Sequence, residues 1–172
     1  MRWILETARF KLRELTVDDA EFIFELVNQD SFLQNIGDKG VRTLDDAKVH
    51  LDEKYVQMYT NLGFGLYGIV NKHDNKLLGV CGLVKRNELD APDLGYALLD
   101  SSAGNGVCIE AATAVVAYAF NGLGLAKLFG VIDPNNQRSA NVLIKLGFQT
   151  KGYIQLHGIA KNSQLFELIA QS

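Results

Sequence analysis

DLGYALLDSSAGNGVCIEAATAVVAYAF, residues 93–120, is the stretch whose reading decides the fold. Its opening, Asp93–Leu99, is rich in apolar and aromatic residues and reads as a strand. The turn Ser101–Gly106 follows and opens directly into a long apolar-faced helix. Gly104 and Gly106 carry no Cβ, so the backbone or phosphate of a ligand can come close to the main chain. The amides from Gly106 through Val107 and Cys108 to Ile109 are the donors that a new helix leaves without an internal partner. Such oriented N–H groups, at the positive end of the helix dipole, favour a diphosphate. Two glycines between a strand and a helix more often serve plain packing, so this segment alone offers an anion cradle at most and nothing narrower.

About thirty residues on, DPNNQRSANVLIKLGF (133–148) puts Asn136 and Ser139 just after the strand Lys127–Ile132 and at the start of the helix Arg138–Leu146. Both residue types cap helices well, so capping alone would account for them. Gly147 stands where a helix ends in a left-handed turn.

Working outward, Phe10–Leu15 alternates apolar and polar residues and reads as the first strand. Thr16–Asp19 and Thr43–Asp46 are matching helix starts with acidic first turns. The glycine-bearing segment between those helices, Asp30–Arg42, reads as irregular. Phe64–Asn71 and Lys76–Arg86 are strands joined by a turn. The chain closes with strands Phe148–Ile154 and Leu165–Ile169. The late β-α-β-α-β order implies an α/β (mixed α+β) fold, a mixed sheet with helices on both faces.

Bulk properties narrow the classes. The 172 residues suffice for one domain, 1–172, with a sizeable core, and no linker or repeat divides them. The N-terminus meets charges too early for a signal peptide, and no apolar run spans a bilayer. A cytoplasmic protein with no membrane partner is expected. A net charge of −3, spread along the chain, argues against nucleic acid as partner and suits a cationic substrate. Two cysteines make no disulfide framework, and His50, His73 and His157 have no ligand spacing, so no metal is implied.

Together the two deciding segments resemble the GNAT acetyltransferase superfamily, closest to the branch of ribosomal-protein-alanine N-acetyltransferases. That branch reads G-x-G-[YFV]-[AC]-x-E-A, then N-x-x-S, then K-x-G-F, matched here at Gly104–Ala111, Asn136–Ser139 and Lys145–Phe148. Thr7–Arg13 is similar to its opening, T-x-R-L-x-L-R. The resemblance implies a mostly antiparallel mixed sheet with a central splayed strand pair. It also implies acetyl-CoA as co-substrate and an amine acceptor, either a protein N-terminus or a small molecule such as a polyamine, amino acid or aminoglycoside. By resemblance, Gly104, Asn105, Gly106, Val107 and Cys108 cradle the diphosphate, and the main chain at Leu98 pairs with the pantetheine arm. Asn136 then binds the pantetheine or adenosine side, and Ser139 lies near the sulfur and can hydrogen-bond the departing thiolate. Asp93, the acidic residue before L-G-Y, is the candidate base, with Glu88, Asp90, Tyr96 and Tyr153 also in view. Glu110 reads as structural support more than as a catalyst. A non-catalytic acyl-CoA-binding module is the rival reading, and monomer and homodimer are both open.

Two alternatives for the glycine turn fail on residues. A dinucleotide fingerprint needs a third glycine where Ile109 stands, and a nucleotide-hydrolase loop needs a Gly-Lys-Ser/Thr run that is absent. One departure from the family pattern stands out: Ser101 occupies the position of the usual arginine or glutamine, and Ala103 that of a frequent aromatic.

Overall fold

The computed structural model describes residues 1–172. A single sheet of eight strands organises the chain: β1 (Trp3–Glu6), β2 (Phe10–Arg13), β3 (Leu66–Asn71), β4 (Leu77–Val84), β5 (Asp93–Leu98), β6 (Lys127–Ile132), β7 (Gln149–Ile154) and β8 (Ser163–Ile169). Their spatial order is β1-β2-β3-β4-β5-β6-β8-β7. Every neighbouring pair is antiparallel except β5 and β6. Those two run parallel and are paired at one position only, Asp93 with Phe129. Beyond it they separate, which is the splay that the resemblance implied.

Six α-helices accompany the sheet: α1 (Ala20–Asn28), α2 (Asp30–Asn35), α3 (Leu44–Leu51), α4 (Gln57–Leu62), α5 (Val107–Ala117) and α6 (Gln137–Lys145). Five successive residues of β4, Gly79–Leu83, are buried. Side chains alternate between faces along a strand, so the sheet is covered on both. One apolar core joins Leu12, Ile69, Val80, Leu83, Val115 and Leu143, each nearly inaccessible. No helix is long and apolar enough to cross a membrane.

Local chemistry sets the boundaries. At Thr43 a reciprocal cap forms: the Asp46 amide donates to Thr43 Oγ1 at 3.0 Å, and the Thr43 amide to Asp46 Oδ2 at 3.0 Å. Gly147, with φ of 95°, ends α6; its amide reaches the Ile144 carbonyl at 3.0 Å, and that of Phe148 the Leu143 carbonyl at 3.0 Å. This pair of bonds is the Schellman closure that the K-x-G-F segment encodes.

Two expectations are corrected. The first strand of the sheet is β1, which precedes Phe10, with Trp3 facing Arg13 across the pair. Its four residues at the sheet edge carry no buried alternation to read, being exposed or half-exposed. The segment Asp30–Arg42 is not irregular throughout, because α2 occupies its first six residues and buries Phe32. A single apolar anchor in a short polar helix gives no period to detect.

Candidate active site

β5 hands the chain to the glycine turn, and α5 begins after it. Gly104 has φ of 86° and Gly106 φ of 71°, both in the left-handed region that side chains rarely adopt. Nothing lies within 4 Å of where a Cβ on Gly104 would be, so that side of the turn is open. A Cβ on Gly106 would lie 3.3 Å from a terminal nitrogen of Arg9. Val107, 4% exposed, pins the helix start into the core. Cys108 is no thiolate: burial pushes its thiol up to about 12, against any lowering by the helix start.

Arg9 and Thr7 come from the turn between β1 and β2 and close on Glu110. Thr7 Oγ1 donates to Glu110 Oε1 at 2.7 Å, the Arg9 amide to the same oxygen at 2.8 Å, and Arg9 Nε to Oε2 at 2.7 Å. Burial alone would raise the pKa of Glu110, but these donors outweigh it and hold the carboxyl below its ordinary range. With its oxygens so committed, Glu110 fastens α5 to the hairpin, the supporting role expected of it. Arg9 Nη1 also donates to the Asn105 carbonyl at 2.9 Å. A cleft of about 610 Å³ beside the turn is lined by Arg9, Lys72, His73, Ser101, Asn105 and Val107, among others. Arginine 9 thus stands in the same cleft as Ser101, where the family's long donor is missing. Sequence reading gave Arg9 no such place, and its position in the T-x-R opening was the only signal.

On the other side of the splay, Asn136 caps α6 by accepting the Ser139 amide at 3.1 Å. Ser139 is therefore not the cap. Its Oγ lies 2.6 Å from the Tyr96 hydroxyl, which also reaches the Ser139 carbonyl at 3.2 Å. Tyr96 spans the gap from β5 to α6, and burial raises its pKa well above that of a free phenol. It remains a protonated donor and is no base at neutral pH.

Asp93 is 1% exposed and accepts Arg86 Nε at 2.9 Å. Burial raises its carboxyl to about 6, with Arg86 working in the opposite direction. A carboxylate so enclosed does not meet an acceptor amine directly, which corrects the direct-contact form of the base assignment. The flanking candidates are also engaged or remote: Glu88 accepts the His157 amide at 2.9 Å, Asp90 pairs with Lys127 at 2.8 Å, and Tyr153 is 65% exposed on β7.

The main chain of Leu98 is half committed. The carbonyl accepts Gln29 Nε2 at 2.6 Å. What remains for a ligand's arm at this residue is its N–H.

Comparisons with known proteins bear on the family and the fold. Residues 9–149 match the model of the acetyltransferase (GNAT) domain. The chain is 27% identical to the N-acetyltransferase YoaA of Bacillus subtilis over 173 residues, 96% of each protein. It is 29% identical to the ribosomal protein uS5-alanine N-acetyltransferase of Escherichia coli over 89 residues, 51% of this chain and 46% of that one. The structure of RimL, a ribosomal L7/L12 α-N-protein acetyltransferase, in complex with coenzyme A superposes with a TM-score of 0.81 at 18% identity, covering 98% of both chains. With a glycine cradle, a splayed strand pair and a family match over most of its length, this chain belongs to the GNAT family of N-acetyltransferases.

Proposed function

We propose that this protein is a one-domain cytoplasmic enzyme that moves the acetyl group of acetyl-CoA to the N-terminal α-amine of a protein, by direct attack in a ternary complex. The observation that carries the reading is the joint geometry of cradle and splay: open space over Gly104, β5 unpaired with β6 beyond Asp93, and Ser139 facing the gap through Tyr96. These residues fit the nucleotide thioester. The amides from Asn105 to Cys108 would hold its diphosphate, with the Arg9 guanidinium beside them, and the splayed edge of β5 would hold its arm.

When bound, the thioester supplies an activated acetyl carbonyl. The protein's part is to hold the reactants together and to aim the Leu98 N–H at the gap, where a carbonyl oxygen gains negative charge. Ser139 Oγ–H hydrogen-bonds the leaving sulfur while the Tyr96 hydroxyl holds Ser139 Oγ, and the proton that the attacking nitrogen sheds passes through solvent to the thiolate, leaving the amide and the free thiol. Asp93 acts from a distance, as the buried carboxylate that fixes Arg86 at the closed end of the splay. An α-amine, with a pKa near 7.7–8.0, is partly neutral at physiological pH and needs little help to lose its proton. The ribosomal-protein substrates named for two relatives support an N-terminal acceptor.

Acetyl-CoA is expected to bind and to raise the melting temperature by mass action, by about 2.7 kcal/mol of stability at a hundredfold excess over Kd. NAD is expected to do neither. Calorimetric titration with no acetyl-CoA binding at millimolar concentration would overturn the reading. A free-thiol release screen against N-terminal peptides and small amines identifies the acceptor, and turnover confined to small amines would replace the protein N-terminus.

Ser101→Arg is expected to tighten acetyl-CoA binding by about tenfold, the low end of a charge-assisted hydrogen bond. Arg9 lines the same cleft and repels the newcomer, which keeps the gain small. The tighter binding should weaken more steeply with salt. Equal affinities of variant and wild type at low ionic strength would show that position 101 points away from the phosphates.

A further inference from the structure

The exposed edge of β5 is closed at both ends. The Leu99 amide donates to the Leu78 carbonyl at 2.8 Å, and Ala97 faces Val80 in register. Main-chain groups of alternate residues point to opposite sides of a strand. Leu99, Ala97 and Gly95 therefore turn toward β4, whereas Leu94, Tyr96, Leu98 and Asp100 turn toward the splay. At the near end β6 closes the edge, where the Phe129 amide donates to the Pro92 carbonyl at 3.0 Å.

At the far end a side chain does so. Gln29 lies in extended conformation between α1 and α2, with φ of −74° and ψ of 153°, and this break in the helices sends its side chain to β5. Its Nε2 donates to the Leu98 carbonyl at 2.6 Å, and its Oε1 accepts the Asp100 amide at 2.9 Å. Donating to one residue and accepting from the residue two further on is what a residue of a parallel neighbouring strand does. The carboxamide of Gln29 is a one-residue substitute for the missing strand. Ser31 Oγ donates to Asp100 Oδ1 at 2.6 Å and steadies the same clip. Between the two closures lie the carbonyl of Leu94, the N–H and carbonyl of Tyr96 and the N–H of Leu98.

We propose that Gln29 is a positioning residue that sets the register of the thioester arm, an inference that rests on the acetyl-CoA reading above. By occupying the Leu98 carbonyl and the Asp100 amide, it confines an amide-bearing arm to the short window between the Leu94 carbonyl and the Leu98 N–H. It also fixes the peptide plane that follows Leu98 and so, through the Leu98 Cα, steadies the direction in which the Leu98 N–H of the preceding plane points, toward the acetyl carbonyl. Without the clip, the arm has two more main-chain partners and slides along the edge, and the Leu98 N–H loses its aim.

The test needs no acceptor. Acetyl-CoA labelled with carbon-13 at the acetyl carbonyl is titrated into wild type and Gln29→Leu, and the bound carbonyl resonance is read together with Kd and melting temperature. The expected result is a downfield displacement on binding to wild type, since a hydrogen bond deshields the carbonyl carbon. Gln29→Leu should lose at least half of that displacement, with Kd within threefold. In Gln29→Glu the carboxylate cannot donate to the Leu98 carbonyl, so the displacement should be lost at neutral pH and recovered as the carboxyl protonates. A bound resonance in Gln29→Leu equal to that of wild type would overturn the inference, as would Gln29→Glu showing no pH dependence. If Gln29→Leu does not fold, Gln29→Glu decides alone. Failure of wild type to bind acetyl-CoA at all would overturn the site reading, and this inference with it. Binding by wild type with an unmoved variant resonance overturns this inference only.

Discussion

Gly106→Val is expected to abolish acetyl-CoA binding and to leave the chain folded, though less stable. At φ of 71° a valine is strained, a penalty of about 1–2 kcal/mol. Its Cβ would also crowd the Arg9 guanidinium at 3.3 Å, the mobile end of a half-exposed side chain that can turn aside. The γ-methyl groups then stand at the amides where the diphosphate is to sit, and Arg9 is displaced from that position. Strain is separated from occlusion by Gly124→Val, because Gly124 has φ of 68° with nothing within 4 Å of its Cβ position and lies outside the site. Both variants should melt early, and only Gly106→Val should lose binding in a calorimetric titration. Normal binding by Gly106→Val would make the turn structural and move the cradle elsewhere.

The second large effect belongs to Ser139. Ser139→Ala should lower kcat by about tenfold to a thousandfold, the lower part of general acid catalysis because water can stand in for the hydroxyl. The loss lies in the transition state, so the Kd of acetyl-CoA should stay within a few-fold. Stability should fall by about 0.5–1.5 kcal/mol, for one hydrogen bond to Tyr96. The cap of α6 survives, since Asn136 accepts the main-chain amide of residue 139 and not its hydroxyl. Early melting with undiminished turnover per folded molecule would confine Ser139 to a structural role and leave the sulfur to be hydrogen-bonded by another group or by solvent.

What the sequence made legible was whatever a local rule governs. The strand Lys127–Ile132 was read to the residue, and the glycines at 104, 106 and 147 all occupy the left-handed conformations that explain them. Asn136 and Ser139 could not be told apart as cap and donor, because both residue types suit both roles and only the 3.1 Å and 2.6 Å contacts divide them. Asp93 looked like a base beside a polar loop; its burial against Arg86 is a tertiary outcome that residue type does not reveal. Gln29 carried no signal at all. A glutamine at the end of an amphipathic helix is ordinary, and its use arises only because β5 and β6 part company 69 residues away in the chain.

The knot of Thr7, Arg9 and Glu110 also has a bearing on how the protein is made. Arg9 and Glu110 are 101 residues apart. Helix α5 can begin from its own local contacts, but the donors that steady its first turn arrive only when a loop of that length closes, at an entropic cost that rises with the logarithm of loop length. Contacts of such range slow folding. As the chain leaves the ribosome, the Thr7 and Arg9 side chains must therefore wait for more than half of the protein before they meet Glu110. On the proposed acetyl-CoA reading, competence to hold the nucleotide is a late acquisition, reached when the two ends of that loop meet and not when the glycine turn itself forms.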